Sequence, residues 1–305
     1  MTDHHPEPRD PAGHCAFETC CGRRHSSVRL IDARMPELAR CLTLFRHVQA
    51  VTGGPVARID QAGAYAVPTL RGEAFAVDPG AIALRVDGAG VASAVIARDR
   101  RTGSVAVRLV DAAGRTVHQG RLLSEGDRLL AGLARTAVPG APVTAPGAAP
   151  AVPEWEHGDQ LAQLDAVLLD GGAARRGAFD RYRGEHRVIE AGVLPAVLDH
   201  VCSVGLPIGV AVFAPSAMQA CGGRVHVTDR TAGGRVFAAV GEGSVEFDLA
   251  GVRACHLVRS TAAHGPTSAI ELDDEEGRCV AVITQFGIVG HEVHRAWEHL
   301  AASLP

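Results

Sequence analysis

Apolar and polar positions along the 305 residues follow two patterns, and each pattern predicts a different kind of element. Apolar residues spaced three and four apart predict amphipathic helices, whereas short runs rich in Val, Ile and Ala and broken by Gly, Asp or Pro predict strands. The helical spacing covers residues 35–43, 126–133, 158–169, 174–182, 194–204 and 291–303. Helices are therefore predicted before, between and after two stretches that consist mainly of strands.

The strand pattern fills two blocks, one on each side of the middle of the chain. In the first block the runs lie at residues 47–51, 56–59, 62–70, 74–77, 81–86, 91–98, 104–110 and 115–121. In the second block they lie at residues 208–213, 224–229, 236–240, 245–249, 254–260, 267–272 and 278–285. Short strands joined by such turns are typical of a meandering antiparallel sheet. The pattern therefore predicts the α+β class.

The two blocks echo each other. The segments that begin at Ser104 and at Ser268 both contain a strand, an acidic turn that ends in Gly-Arg, and a returning strand. Gly114 and Gly277 occupy the same place in these segments, and the offset between them, 163 positions, also superimposes strands further upstream. Chance likeness between hairpins is the alternative, but agreement in the order of helix, strands and hairpin favours a repeat. We predict a tandem repeat of two antiparallel-sheet units with flanking helices and a cleft between the halves.

Composition divides the chain into four parts. Residues 137–153 contain five prolines and no charged residue, a composition that favours extended polyproline geometry and predicts a linker. The predicted parts are a Cys/His tail at 1–27, a first repeat at 28–136, this linker, and strap helices with the second repeat at 154–305.

The tail is rich in residue types that bind metals, namely His4, His5, His14, Cys15, Cys20, Cys21 and His25. A small zinc knot would use such side chains. However, four residues separate Cys15 from Cys20, and Cys20 and Cys21 are adjacent, unlike the usual paired knuckle. A disordered tail with a few soft ligands is the favoured interpretation.

Charge and hydropathy exclude several classes of protein. The net charge is −4 and no dense basic patch exists, so nucleic acid is not an expected partner. No apolar run reaches the length, about 18 residues, that a membrane helix needs, and the polar N-terminus does not resemble a signal peptide. The five cysteines outside the tail are scattered singly. These features predict a cytoplasmic protein that does not insert into a membrane.

Short motifs recur in a particular order from about residue 30 to the end. The first half contains Gly63-Ala64-Tyr65, Leu84-Arg85, and Asp111 and Gly114 followed by Val117-His118. The middle contains Glu154-Trp155 and then Arg175, Ala178 and Phe179. The second half contains Leu206-Pro207-Ile208, Gln219, Thr267 to Leu272, and Phe286-Gly287 ahead of Trp297. In this order the chain resembles the hemin-degrading, hemin-transport family of bacterial cytoplasmic haem-handling proteins.

The resemblance implies that two sheet-based repeats clamp haem in a cleft between them, and that some members open the porphyrin ring and release iron. The candidate haem contacts are Arg85, Arg175, Phe179, Gln219 and Phe286, which lie in motifs that match the family, together with His157, which does not occupy a family position. Arg85 would serve the distal or propionate side and Arg175 a propionate, because a guanidinium pairs bidentately with a carboxylate. As alternatives, Arg85 could be an ordinary strand residue and Arg175 a solvated helix residue.

The chain departs from the family at the iron ligand. The resemblance places the axial histidine at Ala162, and a tyrosine and a basic residue near the C-terminus at Phe286 and at residues 288–289. His157, five residues before Ala162, is the candidate substitute metal ligand, since imidazole is a standard ligand of haem iron; the alternative is an ordinary surface or hydrogen-bonded histidine. Further candidates, each of which could instead be an ordinary surface or hydrogen-bonded residue, are His47, His118, His186, His291, Met218 and Cys221.

Two functions follow from these observations. The first is a haem-binding protein of haem and iron utilisation that could also degrade haem and release iron, with haem and components of a haem importer as partners. The second is a non-catalytic carrier or regulatory binding protein for haem or another tetrapyrrole, which the missing axial histidine favours.

Overall fold

Sixteen strands and five α-helices make up the part of the chain that the structure, a computed structural model, describes. This part comprises residues 26–31, 37–71, 73, 75, 77–78, 80–133, 160–170, 185–231, 233–262, 265–286 and 290–305. The helices are α1 (Glu37–Thr43), α2 (Glu125–Leu133), α3 (Gln160–Asp170), α4 (Leu194–Val204) and α5 (His291–Ser303).

The strands divide equally between the two halves. The first half contains β1 (Ser26–Ile31), β2 (Val48–Gly53), β3 (Ala57–Tyr65), β4 (Thr69–Leu70), β5 (Ala81–Val86), β6 (Val91–Asp99), β7 (Val105–Asp111) and β8 (Thr116–Leu122). The second half contains β9 (Glu185–Ile189), β10 (Pro207–Ala214), β11 (Ala217–Arg230), β12 (Arg235–Val240), β13 (Gly243–Asp248), β14 (Ala254–Ala262), β15 (Gly265–Asp273) and β16 (Cys279–Thr284). The α+β class predicted from the sequence is confirmed.

Most element positions match their predictions, and the differences have local causes. The predicted break between residues 59 and 62 is absent, because Asp60 accepts hydrogen bonds from the Gln49 side chain at 3.1 Å and stays within β3. The strand predicted at 74–77 was wrong, since Phe75 and Val77 lie in no strand and instead pack against a neighbouring core cluster. Strands β1 and β9 were not predicted. The linker 137–153, residues 1–25 of the predicted tail 1–27 and the helix predicted at 174–182 lie outside the described residues. The last two residues of that tail, Ser26 and Ser27, begin β1.

The strand order shows the repeat directly. Hydrogen-bonded neighbours run β1-β6-β7-β8-β2-β3-β13-β12-β11-β10-β16-β15-β14-β9. If the strands of each half are numbered one to eight in chain order, β1 and β9 are both first strands and β8 and β16 are both eighth strands. With β12 left out, the sequence of these numbers is the same whether the sheet is followed from β1 or from β9. In addition, β5 pairs with β11 of the other half, as β13 pairs with β3. Each half therefore contributes its fifth strand to the sheet of the other half.

Each half has its own hydrophobic core. In the first half, α1 packs through Leu38 and Leu42 beside Phe45, and all three side chains are fully buried. In the second half, α4 and the Trp297 ring of α5 fill the equivalent place. The Trp297 indole donates a hydrogen bond to the Ser268 carbonyl at 2.8 Å, which satisfies its only polar atom. No helix among the described residues is long and apolar enough to cross a membrane.

Candidate functional site

Helix α3 covers a sheet surface in the second half, which we call the α3-covered surface. Its buried members are Ala211, Phe213, Met218, Ala220, Ala269, Cys279 and Val282, and Phe75, Val77 and Phe286 pack against it. The side chains of Leu164, Val167 and Leu168 contact this surface from α3. Because every described side chain of α3, from residue 163 to residue 168, is buried, the helix is enclosed rather than laid on the outside of the protein.

Arg85 ties α3 to the first half. It lies on β5, which pairs with β11 next to the α3-covered surface, and its side chain is fully buried. Its guanidinium donates from Nε to Asp165 Oδ1 and from Nη2 to Asp165 Oδ2, the latter at 2.8 Å. This two-bond geometry is the strongest form of Arg–carboxylate pair.

Two further guanidinium donors of Arg85 also have partners. Nη1 donates to the Thr69 hydroxyl at 2.8 Å and Nη2 to the Glu73 carbonyl at 3.0 Å. The guanidinium carbon lies 5.4 Å from the centre of the Phe75 ring, within cation–π range. Since a buried charge needs partners, the chain supplies them through Asp165 of α3, Thr69 of β4 and the segment between β4 and β5.

A second polar contact fixes the other side of α3. Gln163 donates a hydrogen bond to Glu271 Oε1 at 3.1 Å, and both side chains are buried. On the neighbouring strands, His256 Nε2 lies 3.3 Å from Asp273 Oδ2, and this pair is buried too. Burial, and the carboxylates of Asp273 and Glu271 nearby, raise the pKa of the Cys255 thiol to about 12.

Phe286 lies over a pair of glycines. Gly209 and Gly222 face each other across β10 and β11. A β-carbon on Gly209 would lie 2.1 Å from the Phe286 ring, so the aromatic ring occupies the space that any larger residue would fill. A β-carbon on Gly222 would meet the same ring at an ordinary 3.8 Å. The absence of a side chain at Gly209 therefore creates the seat for Phe286.

Gln219 faces away from α3. It belongs to a buried polar chain in which the Thr52 hydroxyl donates to Gln219 Oε1 at 2.8 Å and Gln219 Nε2 donates to Gln61 Oε1 at 2.9 Å. Thr52 also lies 2.7 Å from Nδ1 of His118, whose Nε2 lies 2.8 Å from the Tyr65 hydroxyl. This chain joins β2, β3 and β8 of the first half to β11 of the second.

The hydrogen-bond donors in this buried polar chain show which nitrogen of His118 carries the proton. Because Thr52 gives its only hydroxyl proton to Gln219, Nδ1 of His118 must be the protonated nitrogen, and Nε2 accepts from Tyr65. Complete burial lowers the pKa of His118 to about 3 and raises the pKa of Tyr65. Both residues are therefore neutral at physiological pH, and both nitrogens of His118 are in use.

The structure brings together some of the residues selected from the sequence. Arg85 and Met218 are register partners across β5 and β11, and Phe286 packs on the same α3-covered surface. Cys221 points into the other core cluster of the second half, where burial raises its pKa to about 12. Ala162 lies in α3, while His157, Arg175 and Phe179 lie outside the described residues.

The other histidine candidates lie elsewhere. His47 is exposed and lies 3.8 Å from Asp127, and His291 lies 3.0 Å from the Arg295 side chain at the start of α5. His186 lies on the edge strand β9. Within the described parts of the chain, no group of three or more His, Cys, Asp or Glu residues is arranged to hold a metal ion.

The sequence reasoning missed the partners of the site. Asp165, Gln163 and Glu271 were not selected, although each interrupts an otherwise apolar stretch. A carboxylate flanked by leucine, alanine and valine in a buried helix is a signal in itself, because a charge is rarely buried without a partner.

Comparison with known proteins shows which solved structures share this architecture. No protein-family model matches the chain, and no curated protein matches it. Among solved structures, holo-PhuS, a heme-binding protein from Pseudomonas aeruginosa, matches with a TM-score of 0.72 and 20% identity over 91% of this chain and 87% of that chain. ChuS, an E. coli heme oxygenase, matches with a TM-score of 0.73 and 16% identity over 91% of this chain and 88% of that chain. The chain therefore has the α+β fold of PhuS and ChuS over about nine-tenths of its length.

Proposed function

We propose that this protein binds haem between α3 and the α3-covered surface, a site that we call the candidate cleft, and serves haem and iron utilisation. The observation that carries this proposal is the likeness of fold over 91% of the chain to holo-PhuS and to ChuS, whose names describe haem binding and haem oxygenation. The motifs that resemble the haem-handling family lie on both halves of the same fold.

The residues of the site suit parts of a haem molecule. The α3-covered surface offers alanines at 211, 220 and 269 together with Met218 and Phe286, a floor on which a flat apolar ring could pack. The Arg85 guanidinium suits a propionate carboxylate. His157 is the proposed ligand to the iron, and Met218 supplies a thioether, the soft alternative. Arg175 and Phe179 are proposed as further contacts, and Gln219 supports the floor from behind.

The second candidate is a carrier or regulatory protein that binds haem or another tetrapyrrole without degrading it. Two observations favour it over the enzyme. Ala162 on α3 cannot ligate iron, and Asp165 on the same helix already neutralises Arg85. Either form would act in the cytoplasm, and haem would reach it from the components of an importer.

A hemin titration tests the proposal. Adding hemin to micromolar protein should give a shifted Soret band with one-to-one stoichiometry, and no shift would exclude haem binding. Ascorbate and air then separate the two candidates, because loss of the Soret band indicates degradation and a persistent band indicates a carrier. His157→Ala should change the band, whereas His47→Ala, which removes an exposed histidine beside Asp127, should leave it unchanged.

A further inference from the structure

The Arg85–Asp165 pair has an unusual position for a buried ion pair. Arg85 is fully buried on β5 of the first half, and Asp165 comes from α3, the helix that covers the candidate cleft. The two charges hold together parts of the chain 80 positions apart. A cleft built to receive an anionic ligand would normally leave its guanidinium open to that ligand.

The geometry of the pair matches that of a bound ligand carboxylate. Asp165 accepts from Nε and Nη2, while Thr69 accepts from Nη1 and the Glu73 carbonyl from Nη2. Only one carboxylate can occupy the Nε–Nη2 edge at a time. A ligand carboxylate and Asp165 are therefore mutually exclusive partners of Arg85.

Replacement of the Asp165 carboxylate by a ligand carboxylate would leave the charge of Arg85 balanced. A buried guanidinium without an anion is strongly unfavourable, but one carboxylate can replace another at the same edge. Asp165 would leave the protein interior together with its helix and regain water. The described contacts of α3 also include the Gln163–Glu271 hydrogen bond and the packing of Leu164, Val167 and Leu168. A flat apolar ring could replace that packing.

We propose that Asp165 is a built-in competitor that occupies the carboxylate site at Arg85 and keeps α3 closed over the cleft, and that a tetrapyrrole carboxylate displaces it. This inference rests on the proposed function. It adds that affinity depends on the free carboxylates of the ligand, and that α3 is displaced when the ligand binds. Asp165 is a residue that sets specificity and has no part in any chemical step.

The test uses iron-free protoporphyrin IX and its dimethyl ester as probes, so that the iron ligand plays no part. Asp165→Asn should tighten binding of the free acid by at least about tenfold, since it removes a charged competitor. The gain for the ester should be clearly smaller, because the ester offers Arg85 no anion. Asp199→Asn, which removes a carboxylate from a surface ion pair with Arg230, is the matched control and should bind as the unmodified protein does.

Each outcome decides a different point. Equal affinity of the unmodified protein and Asp165→Asn for the free acid would overturn the competitor and leave the proposed function standing. An equal gain for acid and ester would mean that the substitution only loosens α3, which overturns the carboxylate exchange. Binding of the free acid by Asp165→Asn alone would support complete closure by Asp165. If neither protein binds protoporphyrin IX or hemin, the proposed function fails as well.

A second measurement needs no variant and covers the case in which Asp165→Asn does not fold. Hydrogen exchange of the backbone amides in α3 should accelerate when the unmodified protein binds the free acid, because the helix leaves its buried place. Unchanged or stronger protection of α3 in the complex would overturn the proposed displacement.

Discussion

Asp111 and Asp274, 163 positions apart, hold the same turn in the two halves of the chain. Asp111 accepts from the backbone N–H and from Nε of Arg115, both at 2.8 Å. Asp274 accepts from the same atoms of Arg278 at 2.9 and 2.8 Å. Burial alone would raise the pKa of each carboxyl, but the hydrogen bonds from the arginine hold both pKa values below their ordinary range.

The glycines of these two turns should be equally intolerant of a side chain. Gly114 and Gly277 both have φ of 78°, in the left-handed region. Gly114→Ala and Gly277→Ala should each lower the free energy of unfolding by about 1 kcal/mol or more, because the new residue is strained there. Chemical denaturation measures both. Gly132→Ala, in α2 with open space around it, is the control and should cost nothing. A loss at only one of the two turns would contradict their equivalence.

Neutral His118 should make the protein sensitive to mild acid. Its pKa is lowered to about 3 in the folded state, whereas an unfolded histidine has a pKa of about 6.5. The unfolded chain therefore binds more protons between these values, and stability is complete above pH 6.5 and falls as the pH drops towards 3. From pH 7 to pH 5 the His118 contribution to that loss is about 2 kcal/mol.

His118→Asn isolates this contribution. Denaturation at pH 7 and pH 5 should show a smaller loss in His118→Asn than in the unmodified protein, by about 2 kcal/mol. Other titrating groups contribute equally to both proteins and cancel. An identical loss in the two proteins would show that His118 is not held neutral.

The glycine pair under Phe286 gives a matched test of packing. Gly209→Ala should lower stability by about 1–3 kcal/mol, because its β-carbon would overlap the ring of Phe286. Gly222→Ala should be tolerated, because its β-carbon would meet its neighbours at 3.6 Å or more. Thermal unfolding compares the two. In the background of Phe286→Ala the penalty at Gly209 should largely disappear, and a penalty that persists would place its cause elsewhere.

The Arg85–Asp165 pair should show strong coupling in a double-mutant cycle. Arg85→Met removes the guanidinium from the buried carboxylate of Asp165 and should cost about 3–5 kcal/mol. Asp165→Leu should be similarly harmful alone. The double variant Arg85→Met/Asp165→Leu should recover much of the loss, because an apolar pair of similar volume can replace a buried ion pair. Denaturant titrations measure the free energy of unfolding of each variant. If the loss in the double variant equals the sum of the losses in the two single variants, the two charges do not depend on each other.

Much of the fold was predictable because its determinants are local. The ranges of β5, α4 and α5 follow from apolar periodicity, and Pro195 and Gly205 mark the two ends of α4. The missed strands, β1 and β9, are the edge strands of the sheet and each has only one neighbour. Their apolar side chains at Val28, Leu30 and Val188 are exposed, so apolar positions in these strands do not mark a buried face.

The candidate site was only partly predictable. Arg85, Met218 and Phe286 were selected from the sequence and lie around α3, whereas Gln219, selected with them, faces the opposite core. Neighbouring residues in a strand point to opposite faces, so the faces of Met218 and Gln219 depend on which side of β11 α3 covers. Asp165 was overlooked because its partner lies on a distant strand.

The sequence by itself determined that the chain is a repeat, since turn glycines, acidic turn residues and apolar periods recur at a constant offset and act over a few residues. Only the tertiary structure decided that each half gives its fifth strand to the other, that α3 is enclosed, and that Arg85 meets Asp165. Those features depend on pairing between segments far apart in the chain. Backbone hydrogen bonds in a sheet are the same for every residue, so local sequence cannot specify which distant strand becomes the neighbour.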